Sequence, residues 1–117
     1  MKDPDPMSPA DAELYNPARL DELTEGDRAF ISELLLTFHE DLFEQLQQLK
    51  ELPPEEIKKR RQLAHGMRGA CRNVGAEPLA ALFHLIELNA DKELIDWDTL
   101  ESLANRTWTM MEPHVIS

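Results

Sequence analysis

Residues 63–76, Leu-Ala-His-Gly-Met-Arg-Gly-Ala-Cys-Arg-Asn-Val-Gly-Ala, place a histidine within a helical pattern, with glycine at the next position and again one turn on. Imidazole is a ready nucleophile, because its unperturbed pKa of about 6.5 leaves much of it neutral at cellular pH. A glycine inside a helix costs about 1 kcal/mol relative to alanine, so Gly66 and Gly69 weaken a segment otherwise made of good helix formers. Carrying that cost twice beside one polar side chain keeps the helix surface bare around His65, as a working site requires.

Turning the segment through about 100° per residue gathers Ala64, Met67, Cys71 and Val74 on one side as an inward stripe, flanked by Leu63 and Ala70. His65 falls opposite, together with Lys58, Arg61, Arg68, Gly69 and Arg72, and is predicted to face water. Cys71 lies on the inward stripe and reads as a small buried hydrophobe rather than a reactive thiol.

The run resembles the histidine-containing phosphotransfer (HPt) domain of bacterial and fungal phosphorelays. That family's pattern is a phospho-accepting histidine, a basic residue three on, glycine four on, two small residues, and a glycine that closes the helix. Here these are His65, Arg68, Gly69, Ala70 with Cys71, and Gly75. The resemblance extends over residues 27–115, which carry helices of the right number, length and order. It implies that His65 takes a phosphoryl group from an aspartyl phosphate on a receiver domain and passes it to another response-regulator receiver. Transfer through a loose, metaphosphate-like state leaves mainly positioning and charge neutralisation to the protein, and Arg68 would supply the charge. The family usually has Lys there; Arg keeps the cation and adds a planar fork.

The resemblance also assigns Glu87, twenty-two positions beyond His65, where the family has Gln or Glu hydrogen-bonded to the imidazole. An acceptor on Nδ1–H would fix the tautomer and leave Nε2 as nucleophile. Taken alone, Glu87 and Arg68 read as surface charges. Arg72 departs from the family, which prefers Gly, Ala or Ser there. With Lys58 and Arg61 it makes a basic stripe suited to the acidic, Mg²⁺-binding pocket of a receiver, and six of the chain's twelve basic residues lie between Lys58 and Arg72. The plainer reading of the stripe is a solvated helix face.

The chain of 117 residues is long enough for a single core. A formal charge of −11 and a pI near 4.7 argue against nucleic acid or anionic membrane as partners, since both are polyanions. One cysteine cannot form an internal disulfide, and no stretch reads as a signal peptide or a membrane span, which fits a reducing cytoplasm. The partners expected are proteins, namely receiver domains and a hybrid sensor histidine kinase, with the carrier monomeric. No cofactor is expected on this chain, and Mg²⁺ is expected only on the receiver. His39, His84 and His114 are scattered, and none has a metal-ligand partner at i+4.

Residues 1–15 lack apolar periodicity and read as a flexible lead-in, leaving 16–117 as the domain. Asn16-Pro17 is a helix-start signal for a short helix to about Leu23. Phe30, Leu34, Phe38, Leu42, Leu46 and Leu49 recur at helical spacing over about 27–49, with Ile31, Leu35 and Phe43 widening the apolar face. Leu52-Pro53-Pro54 interrupts, and the motif helix is expected from Pro54 to Val74, stopped by Gly75. Glu77-Pro78 restarts the chain in a shorter helix with Leu79, Leu82, Phe83 and Ile86 inward. After a loop over 89–94, a last helix from near Asp96 turns Trp97, Leu100, Ala104, Thr107 and Met111 inward, with Leu103 and Met110 alongside, until Pro113. The expected fold is all-α, an antiparallel up-down-up-down four-helix bundle with the short first helix across one end.

Two other readings compete. The phospho-accepting domain of a chemotaxis-type histidine kinase has the same bundle and often Glu at the place of Glu87, its donor being an ATP-binding domain. A docking module that binds receivers without phosphotransfer is the other, and the intact His65, Arg68 and Gly69 argue against it. With no glycine-rich nucleotide loop, the chain cannot phosphorylate itself in any of these cases. It reads as a phosphocarrier rather than an enzyme.

Overall fold

The computed structural model describes residues 13–92 and 95–116, and all regular structure among them is helical. Helix α1 spans Ala18–Thr24, α2 Arg28–Glu51, α3 Ile57–Asn73, α4 Glu77–Leu88 and α5 Trp97–Met111, followed by a 3-10 turn, Glu112–His114. Residues 1–12 of the expected lead-in and residues 93–94 of the expected loop lie outside the described residues. No described helix is long and apolar enough to cross a membrane.

Local signals set several helix ends. Asp27 Oδ1 accepts from the Phe30 N–H at 3.1 Å to start α2, and Asp96 Oδ1 accepts from the Thr99 N–H at 3.1 Å to start α5. Before α1, Asn16 Oδ1 accepts from the Ala18 N–H at 3.1 Å. At the end of α3 the Ala76 N–H donates to the Cys71 carbonyl at 2.8 Å and the Gly75 N–H to the Arg72 carbonyl at 3.1 Å, a Schellman closure with Gly75 left-handed at φ 85°.

The start of α3 departs from expectation. The helix begins at Ile57 and not at Pro54. The Pro54 carbonyl accepts from the Arg60 guanidinium at 3.3 Å, and the Pro53 carbonyl accepts both from that guanidinium at 3.1 Å and from the Glu56 N–H at 3.0 Å. The buried Arg60 side chain and the Glu56 N–H together hold 53–56 as a turn.

A single hydrophobic core joins all five helices. Along α2 the buried residues are Ile31, Leu35, Phe38, Leu42, Leu46 and Leu49, so the stripe starts one position later than the spacing suggested, and Phe30 is 46% exposed. The Ile116 N–H donates to Ser32 Oγ at 2.9 Å, which lays residues after the 3-10 turn against that side of α2. On α3 the expected stripe of Ala64, Met67, Cys71 and Val74 is buried. The Cys71 thiol is pushed up to about 12 by burial and by the nearby Glu77 charge, so it packs as a neutral group. Leu14 and Tyr15, at the end of the expected lead-in, are buried in the described structure.

The Asn16 N–H donates to the Gly75 carbonyl at 2.9 Å, tying the segment before α1 to the turn between α3 and α4. A Cβ on Gly75 would run into the Asn16 carbonyl oxygen, whereas a Cβ on Gly26, also left-handed at φ 76°, would meet nothing within 4 Å. Gly75→Ala is therefore expected to lower unfolding stability by at least about 2 kcal/mol, and Gly26→Ala by about 1 kcal/mol, the latter from backbone strain alone. Urea titrations of the two variants check this, and equal losses would contradict the close approach at Gly75.

Candidate functional site

The site is built where α3 lies along α4. His65 projects from α3 with its side chain 62% exposed, opposite the buried stripe, as the helical spacing predicted. Its Nδ1 lies 2.8 Å from Glu87 Oε2 on α4. An ionised carboxylate has no proton to give, so Nδ1 carries the hydrogen and donates it. That tautomer leaves the lone pair on Nε2, the ring nitrogen facing away from Glu87.

Arg68, one turn along α3, is held between the two helices. Its Nη1 donates to His84 Nδ1 at 2.8 Å and lies 3.4 Å from Glu87 Oε1. Its Nη2 comes within 3.2 Å of His65 Nδ1. Nδ1 cannot both donate to Glu87 and accept from Arg68, and the shorter, charge-assisted bond to the carboxylate takes the proton. An Arg68 N–H therefore remains unspent at the edge of the imidazole. His84 accepts through Nδ1, which requires that nitrogen to be bare and His84 to be neutral.

Partial burial pushes the Glu87 carboxyl upward. The hydrogen bond from His65 and the charge of Arg68 outweigh that and hold it below its ordinary value. The carboxylate thus stays ionised and available to His65.

The glycines beside His65 have no internal role. A Cβ at Gly66 or at Gly69 would meet nothing within 4 Å.

The structure brings His65, Arg68 and Glu87 together, with Gly69 open beside them. The basic stripe is less uniform than expected. Lys58 is exposed. Arg61 is exposed too, but its Nε donates to the Glu87 carbonyl at 3.4 Å, on the back of the site. Arg72 lies 3.8 Å from Glu77, both side chains being open to solvent, a pairing worth little.

Two residues escaped the sequence reading. His84 sits three positions before Glu87 on α4, and that i, i+3 spacing was the available signal. Arg60 continues the inward stripe of α3, one turn before Ala64, and is buried. Among the described residues no group of three His, Cys, Asp or Glu is placed to hold a metal ion, and the Arg68 cation fills the space between His65, His84 and Glu87.

A family model described as Hpt domain matches residues 33–111. No curated protein and no solved structure matches the chain.

Because both glycines sit in a helix interior with open space around them, Gly66→Ala and Gly69→Ala are each expected to raise stability by about 0.5–1 kcal/mol, read from denaturant midpoints. A loss at either position would mean that an unseen contact needs the glycine. The depressed Glu87 carboxyl sets a second expectation. Its contribution to stability is present above the ordinary value of 4.5 and is lost as pH falls through its lower native value. Wild type should lose more stability over that window than Glu87→Gln, measured by thermal melts at stepped pH.

Proposed function

The chain belongs to the Hpt domain family, whose members carry phosphoryl groups on histidine in phosphorelays, and on that premise we propose that His65 accepts a phosphoryl group from the aspartyl phosphate of one response-regulator receiver and delivers it to another. The observation that carries this reading is the exposed imidazole with its Nδ1 proton committed to Glu87 at 2.8 Å. Nε2 attacks phosphorus; the Nε2–P bond forms as the bond from phosphorus to the aspartyl oxygen breaks, and the carboxylate of the receiver leaves. The ring becomes cationic while Nδ1 keeps its proton. Glu87 stabilises that charge, and Arg68 turns its unspent N–H toward the phosphoryl oxygens. Return transfer reverses these steps. The Mg²⁺ that assists belongs to the receiver, and this chain acts as a carrier without an ATP site.

Gly66 and Gly69 let the receiver approach closely, and exposed Lys58, Arg61 and Arg72 steer its acidic pocket, affecting encounter rate more than affinity. The four long helices, joined by short connections, are taken as an antiparallel up-down-up-down bundle with α1 across one end. The domain is taken to begin by Leu14, two residues before the start the sequence suggested, and to act as a monomer in the cytoplasm. A second reading is favoured by one feature, the carboxylate at Glu87, which chemotaxis-type kinases often have there. In that reading the phosphoryl donor is a separate ATP-binding domain.

A phosphorylated receiver mixed with the chain should lose label to a base-stable, acid-labile adduct that His65→Gln abolishes. Label accepted only from a kinase domain with ATP would favour the second reading, and label accepted from neither would favour a docking module. Glu87→Ala should slow transfer by roughly 10- to 100-fold with unchanged helical circular dichroism. An unchanged rate would remove Glu87 from the chemistry.

A further inference from the structure

Arg60 is 6% exposed and occupies an inward position of α3, where apolar side chains follow at Ala64, Met67 and Cys71. Its Nη1 donates to the Ala90 carbonyl at 2.8 Å and to the Pro54 carbonyl at 3.3 Å, and its Nη2 to the Pro53 carbonyl at 3.1 Å. All three acceptors are main-chain oxygens, and among the described residues no carboxylate pairs with it. Burying a cation is costly, and replacing buried charges with well-packed apolar groups is often neutral or stabilising. Arg60 is therefore poorly explained as a device for stability.

What Arg60 provides is direction. Apolar packing is non-directional and tolerates sliding along a helix axis, whereas a planar guanidinium fork holds its acceptors at set places. Ala90 is fully buried just past the end of α4, where the negative end of the helix dipole favours a cation. Pro53 and Pro54 belong to the turn that leads into α3. Arg60 thus fixes the backbone at the start of α3 against the backbone at the end of α4. His65 follows Arg60 by five positions on α3, roughly 7–8 Å along the axis, and Glu87 precedes Ala90 by three. Any slip of α4 along α3 at Arg60 enters directly into the distance between Glu87 and His65.

We propose that Arg60 is a positioning residue for phosphotransfer, setting the register of α4 along α3 so that the Glu87 carboxylate meets His65 Nδ1. The proposal rests on the reading of His65 as phosphoacceptor. Arg60→Met keeps the length and loses the fork. It is expected to retain helical circular dichroism, to melt somewhat lower than wild type because the Ala90 carbonyl loses its donor, and to transfer phosphoryl groups roughly 10- to 100-fold more slowly. Two readouts on the same protein need no receiver. ¹⁵N spectra should change from a single Nδ1–H tautomer of His65 to a mixture, and the Glu87 carboxyl should titrate at higher pH than in wild type as it loses its partner. A folded Arg60→Met that keeps the single tautomer and the wild-type Glu87 titration overturns the proposal, whatever its transfer rate.

Should Arg60→Met not fold, the same two spectra of Arg60→Lys decide. A single ammonium cannot hold both Ala90 and the proline turn, so partial tautomer mixing supports the proposal and a wild-type pattern overturns it. If wild type takes label from no donor, the phosphotransfer reading fails, and these spectra still decide whether Arg60 sets the register.

Discussion

The hydrogen bond from His65 Nδ1 to Glu87 Oε2, 2.8 Å long and spanning α3 and α4, is the constraint on which the site depends. It decides which ring nitrogen is bare, and so where the molecule can react. A bond of that kind has a narrow range of useful lengths, so the two helices must meet in one register. At one end the Schellman closure at Gly75 limits the connection to three residues. At the other, Arg60 grips the carbonyls beyond α4 and before α3. Between them the stripe of Ala64, Met67 and Cys71 provides attraction without selecting the axial position.

The chain's four histidines show how surroundings assign roles to one side-chain type. His39 stacks on Trp108, with ring centroids 3.9 Å apart, and helps pack α2 against α5. His114 meets Tyr15 edge-on. His84 accepts from Arg68 and holds its guanidinium close to the site. Only His65 combines a fixed tautomer with an open ring face, a bare helix surface and a neighbouring cation. Local charge supports the same division of labour. The protein carries a formal charge of −11, yet the helix that bears His65 is basic, so its field differs in sign from that of most of the molecule.

Stability and function pull apart along α3. Gly66 and Gly69 meet nothing inside the protein, and the helix would be stronger with alanine at both. The Arg60 cation takes a place in the core that an apolar side chain could fill. These departures from the most stable sequence cluster within one turn or so of His65, as expected where a surface must stay approachable and a geometry must stay fixed.

Periodicity and short-range chemistry were enough to establish the helical class, the inward stripe of α3, the exposure of His65, the approximate helix starts near Asp27 and Asp96 and the helix stop at Gly75. Each depends on residues within a few positions of one another, where helix geometry leaves little freedom. The start of α3 was settled by the Arg60 side chain reaching back to the turn before it, and the inclusion of Leu14 and Tyr15 in the core and the engagement of His84 by contacts between segments distant in the chain. So was the meeting of Glu87 with His65, for which spacing supplied only a resemblance. Arg60 shows the reason most plainly: its place in the inward stripe was legible, but its acceptors in the Pro53-Pro54 turn and at Ala90 converge only after two separate pieces of backbone have packed around it.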